Sequence, residues 1–219
     1  MFEELTVFDD LEARDAALNM AIDEALLEMA ARPTLRFYRW SRPALSFGYF
    51  GRYAEVADEA IDREIVRRWT GGGIVPHGED LTYSVIIPAK DSNFANSSPE
   101  IYAGIHGAIS KALAANEVIA SLADSAGPKI SELCFANAVR ADVISAGRKV
   151  AGAAHRRAKR GLLHQGSIQL STLTPEFRSD LAQCLSEQIQ PGTLSAEVLR
   201  RAHAIAEAKY GTREWLTRR

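Results

Sequence analysis

Arg67-Arg68-Trp69-Thr70-Gly71-Gly72-Gly73-Ile74-Val75-Pro76-His77 is followed, three residues on, by Leu81-Thr82-Tyr83-Ser84-Val85-Ile86-Ile87. Leu81, Tyr83, Val85 and Ile87 alternate with Thr82 and Ser84, which predicts a half-buried strand. Ahead of it, three successive residues without a Cβ permit positive φ and close approach of backbone to another group. Three consecutive N–H groups can surround a carbonyl or phosphate oxygen, and the two arginines bring fixed positive charge, expected at the rim. No Lys-Ser or Lys-Thr follows the glycines, and they lead into a strand rather than a helix. The loop is therefore neither a P-loop nor a dinucleotide fingerprint. On its own residues, a Gly-rich turn between two strands explains it equally well.

Other strands are expected at Leu35–Trp40 and Ala44–Phe50, separated by Pro43 and read as a hairpin or adjacent strands. Asp142-Val143-Ile144-Ser145 and Arg148-Lys149-Val150 flank Ala146-Gly147, a tight hairpin turn. Asp15 caps a helix carrying Leu18, Ile22, Ala25, Leu26 and Met29, which stops before Pro33. Ser98-Pro99-Glu100 opens a second helix with Ile101, Ile105, Ile109 and Leu113 at i, i+4 spacing. Thr174-Pro175-Glu176 repeats that start signal, residues 55–64 read as a short helix, and Ser195 to about Leu216 as a last one broken at Gly211. Residues 89–98 and 121–134 read as loop. The pattern predicts an α+β fold, a central mixed and mostly antiparallel sheet with helices packed on one side.

The 219 residues, 47% hydrophobic and 25% charged, fit one domain spanning 1–219. A net charge of −2 argues against a broadly basic nucleic-acid binder. No apolar run reaches ~18 residues, so no membrane span is expected. The acidic start, Met1-Phe2-Glu3-Glu4, does not read as an export signal. Two cysteines make no disulfide framework, and a cytoplasmic monomer is the simplest expectation.

Arg-Arg-x-Thr-Gly-Gly-Gly-x-Val-x-His followed by Leu-x-Tyr-Ser resembles the signature of the lipoate–protein ligase and octanoyltransferase family. A second block resembles it as well: Gly147-Arg148-Lys149-Val150-Ala151-Gly152, running on to His155-Arg156-Arg157-Ala158-Lys159 and then Gly166-Ser167-Ile168. A third lies upstream, at Leu35–Trp40 and Leu45–Phe50. Together they cover roughly residues 15 to 180. The resemblance implies the sheet shared by biotin and lipoate ligases. It implies that Lys149 contacts the acyl group, and that Arg68, Gly71, Gly72, Gly73, His77, Tyr83 and Gly152 bind substrate. Arg68 and the glycine loop are expected to line an elongated apolar pocket ending near Lys149, with Tyr83 in its wall. One departure stands out: the family usually shows His-Gly where this chain reads His164-Gln165-Gly166. The shift points the histidine to the opposite face of a strand.

Cys134-Phe135 resembles the pair that one octanoyltransferase branch carries ahead of the lysine hairpin. Thioester exchange needs a thiolate, and a nearby cation lowers a thiol pKa. Lys149 can do that and can stabilise the oxyanion formed at a thioester carbonyl. Cys184, in an apolar helical stretch, reads as core. His155 and His164 show no metal-ligand spacing, and no metal is proposed. Arg156-Arg157-Ala158-Lys159-Arg160 reads as a solvated run or as a docking site for an acidic partner.

Three readings follow. In the first, Cys134 takes octanoyl from an octanoyl-acyl carrier protein and passes it to a lysine of a lipoyl-domain or glycine-cleavage-type protein, with no cofactor. In the second, an ATP- and Mg-dependent lipoate ligase works through lipoyl-adenylate without a cysteine. In the third, the chain is a non-catalytic lipoate-binding module. The cysteine, together with an end at Arg219 that leaves no room for a C-terminal accessory domain, favours the first.

Overall fold

The computed structural model describes residues 1–57, 62–127 and 137–218. Its strands are β1 Leu5–Arg14, β2 Thr34–Trp40, β3 Ala44–Phe47, β4 Glu64–Arg67, β5 Val75–His77, β6 Leu81–Pro88, β7 Ser121–Leu122, β8 Val143–Ser145, β9 Arg148–Ala158, β10 Gly161–Ile168 and β11 Ile189–Pro191. Its helices are α1 Ala16–Met29, α2 Ala54–Ala57, α3 Ser98–Ala115, α4 Phe177–Leu185, α5 Ala196–Ile205 and α6 Arg213–Thr217. Among the described residues one sheet runs β11-β1-β2-β6-β10-β9-β8-β7 and a smaller one runs β4-β3-β5. The large sheet is parallel at β11-β1-β2 and antiparallel from β2 to β7. The expected α+β class and mixed, mostly antiparallel sheet are present.

Local signals explain the helix starts. Asp15 accepts from the Leu18 amide at 2.7 Å, and Ser97 with Glu100 forms a capping box at α3. The last helical stretch does break at Gly211, whose amide donates to Ala206 O, before Thr212 caps α6. Ala146 and Gly147 both take positive φ, 47° and 72°, and turn β8 into β9 as a two-residue hairpin.

Two expectations are corrected. β2 and β3 are not a hairpin; they belong to different sheets, and the chain crosses between them through Pro43. Helices pack on both faces of the large sheet rather than one. In β6, Val85 and Ile87 join α3 and α4 in one core, whereas Ile86 joins α1 and α5 in the other. In β10, Leu162 and Leu163 divide the same way, so β6 and β10 are buried on both faces.

Candidate active site

The site begins as a row of four residues on neighbouring strands. Tyr38 of β2 stands opposite Thr82 of β6, Thr82 opposite Ser167 of β10, and Ser167 opposite Gly152 of β9. At ~4.8 Å per strand the row is about 14 Å long. It floors a narrow cleft, with about 20 Å³ of free space and partly open to solvent, whose lining also includes Met20, Trp40, Arg68, Gly72 and His77.

The glycine loop forms one wall. Gly72 alone of the three takes positive φ, 86°, and a Cβ on Gly48 would lie 2.1 Å from its carbonyl oxygen. Two backbones therefore cross there where no side chain fits. The arginines are not at a rim. Arg67 is fully buried and donates to the carbonyls of Tyr49, Gly51, Trp215 and Leu216. Arg68, also buried, donates to Ser46 Oγ at 2.6 Å and to the carbonyls of Gly71 and Gly73 at 3.0 and 2.8 Å. A buried guanidinium needs acceptors for its fixed fork of donors, and here the loop's own carbonyls supply them.

His77 stacks on Trp40 at 4.2 Å. Its Nε2 lies 2.6 Å from Ser46 Oγ and its Nδ1 2.8 Å from Asp80 Oδ2. A carboxylate only accepts, so Nδ1 carries a proton toward Asp80. Burial pushes the Asp80 carboxyl up, but the charge and hydrogen bond of His77, with the hydroxyls of Ser167 and Thr82, hold it below its ordinary value. Gln165 ties the loop to α1, accepting from Thr70 Oγ1 at 2.9 Å and donating to Asp23 at 2.8 Å.

At the other end of the row the side chain of Lys149 lies across Gly152. A Cβ at 152 would sit 2.3 Å from Lys149 Cε and 2.7 Å from Nζ. A register shift between Val143 and Ile144, opposite Val150, aims the lysine there. Nζ pairs with Asp142 at 2.8 Å and donates to Asn137 O at 3.4 Å. Asp142 in turn accepts from Tyr102 at 2.5 Å and from the Val139 amide at 2.7 Å.

The opposite face of the same strands carries His155, His164 and Tyr83, against which α3 packs His106 and Tyr102. Burial pushes His106 and His155 down to about 4 and His164 well below its ordinary value. Four ring nitrogens in this cluster have no hydrogen-bond partner among the described residues. Tyr83 belongs here, its hydroxyl 3.0 Å from His164 Nε2, and does not line the cleft. The one-residue shift noted in the sequence puts His164 on this face and Gln165 in the cleft. Among the described residues no group of three or more His, Cys, Asp or Glu is placed to hold a metal.

Of the residues expected from the sequence, Arg68, Gly72, His77 and Gly152 meet at the cleft, Gly71 and Gly73 are held by Arg68, and Lys149 lies against Gly152. Cys134 falls outside the described residues. Cys184 packs half-buried against the α3–α4 core. Ser46, Asp80 and Asp142 were not singled out by the sequence, and Gln165 stood there only as the departure beside His164. The signal for Asp80 was its i+3 spacing from His77.

The fold is that of solved lipoate ligases. The lipoyl protein ligase A/B catalytic-domain model matches residues 15–206. The chain is 37% identical over 186 residues to an octanoyltransferase LipM of Oceanobacillus iheyensis, covering 81% of this chain and 68% of that protein. It is 34% identical over 224 residues to the LipM of Geobacillus kaustophilus, covering 94% and 80%. A lipoate-protein ligase A bound with ATP superposes with a TM-score of 0.76 at 20% identity, covering 99% of each chain. The bi-partite lipoate protein ligase of Thermoplasma acidophilum gives 0.69 at 19%, covering 99% and 97%. The chain belongs to the lipoyl protein ligase A/B catalytic-domain family, whose members serve protein lipoylation.

Proposed function

We propose that the chain is an octanoyltransferase, acting as one catalytic unit over residues 1–219. It moves an octanoyl group from an acyl carrier protein thioester to a lysine of a lipoyl-domain or glycine-cleavage-type protein. The carrying observation is Lys149 fixed by Asp142 across Gly152, the last residue of a four-strand row about 14 Å long. The octanoyltransferase relatives at 34–37% identity support the same reading.

In this mechanism the Cys134 thiolate attacks the thioester carbonyl, and the C–S bond to the carrier breaks. The carrier thiol leaves with a proton. The ε-amine of the acceptor lysine then attacks the Cys134 thioester, an amide forms, the amine gives up a proton and the thiolate returns. Lys149 supplies positive charge beside both tetrahedral oxyanions. Cys134 is three residues before Asn137, whose carbonyl is 3.4 Å from Lys149 Nζ. The reaction needs no cofactor. Incubation with octanoyl-carrier protein and an apo lipoyl domain, against octanoate with ATP and Mg, tests it. Octanoylation only in the first mixture is expected; modification only with ATP sinks the transferase reading.

A further inference from the structure

Along β9 every second residue shares a face, so Gly152, Ala154 and Arg156 form one track. The first two are small and line the cleft, and Ala154 faces Gly72 closely enough that a Cβ on the glycine would lie 3.4 Å away. Arg156 closes the track about 13 Å from Gly152.

Three cations meet there on aromatic faces. The Arg156 guanidinium lies 5.1 Å from the Tyr49 ring and 4.9 Å from Trp69. Arg218 lies 4.9 Å from both Tyr49 and Trp215. Lys209 Nζ lies 4.2 Å over Trp69 and 4.4 Å over Trp215. Glu24 pairs with Lys209 at 2.6 Å. Arg156 and Arg218 form no ion pair among the described residues. Gathering like charges costs free energy in the empty protein, and a bound anion offsets it. A guanidinium stacked on a ring is held in place with its edge donors directed outward, which suits bidentate binding of an oxyanion.

We propose that Arg156, Arg218 and Lys209 form a phosphate site for the far end of a pantetheine thioester donor. The acyl carbonyl lies at Gly152 and Lys149, and the arm, longer than an octanoyl chain, follows the Gly152–Ala154 track. This deepens the acyl-transfer reading and rests on it. A carrier protein holds this arm by a phosphodiester and coenzyme A by a diphosphate, and the 4′-phosphate on the pantetheine is common to both.

4′-Phosphopantetheine and pantetheine differ only in the phosphate, and calorimetric titration of each into the full chain tests the site independently of turnover. The unsubstituted protein is expected to bind the phosphorylated form about tenfold or more tightly, as a charge-assisted hydrogen-bonded pair implies. The Arg156→Gln/Arg218→Gln variant is expected to bind the two forms alike, with pantetheine affinity unchanged. Equal affinities in the unsubstituted protein, a preference that survives in the variant, or no binding of phosphopantetheine overturns the site. Rates with octanoyl-coenzyme A and octanoyl-carrier protein separate the sources. A loss with both assigns the shared phosphate, and a loss with the carrier alone assigns the carrier's protein surface and overturns the phosphate assignment. Phosphate-dependent binding without octanoyl transfer from any donor contradicts the acyl-transfer reading instead.

Discussion

Lys149 and Gly152 explain each other. The lysine lies across residue 152 only because that residue has no Cβ, and its ammonium stays there because Asp142 is fixed by Tyr102 and Val139. Lys149→Ala is expected to lower kcat by on the order of 10²–10³ with an unchanged circular dichroism spectrum. Unchanged turnover removes the lysine from the mechanism. Gly152→Ala is expected to give a comparable loss, since the new methyl takes the place of Lys149 Cε; wild-type kcat in that variant contradicts the placement. The lysine was legible because it stands in an ordered block beside a hairpin turn. Asp142 was not, because its pairing depends on a register shift that the spacing of residues does not reveal. Tyr83 was placed on the wrong face of its strand. Its ring crosses Gly166, where a Cβ would lie 2.3 Å from it, and its hydroxyl turns to His164, away from the cleft.

At the scale of elements, Arg67 joins β4 to the C-terminal end of the chain. Its donors reach the carbonyls of Trp215 and Leu216, and Trp215 Nε1 returns a bond of 2.9 Å to Arg67 O. Arg67→Ala leaves buried carbonyls without donors and is expected to cost about 2–4 kcal/mol in chemical denaturation. A loss under ~0.5 kcal/mol shows that α6 is held by apolar packing alone. Helix starts, the β8–β9 hairpin and the break at Gly211 were legible because each is decided within a few residues. The separation of β2 from β3 and the second helical layer were not. Both depend on which sheet a strand joins, and β6 shows it: Val85 and Ile86, adjacent and similar, belong to different cores.

The whole molecule stores a pH dependence in its buried histidines. His106 and His155 are pushed by burial from 6.5 to about 4. Their folded-state values lie below the unfolded ones, so the unfolded chain binds more protons as pH falls. Stability is therefore full above about 6.5 and declines between there and about 4, at up to ~1.4 kcal/mol per pH unit for each histidine. Denaturation midpoints measured from pH 7.5 to 5 are expected to fall, and less steeply in His155→Gln. A flat profile contradicts the burial of these rings. No helix of the described residues is long and apolar enough to cross a membrane. Acyl transfer through an enzyme thioester is tested most directly by intact mass after mixing with octanoyl-carrier protein alone. The account predicts a gain of one octanoyl group, lost in Cys134→Ser and retained in Cys184→Ser. No adduct on the wild-type chain, or an adduct that persists in Cys134→Ser, contradicts it.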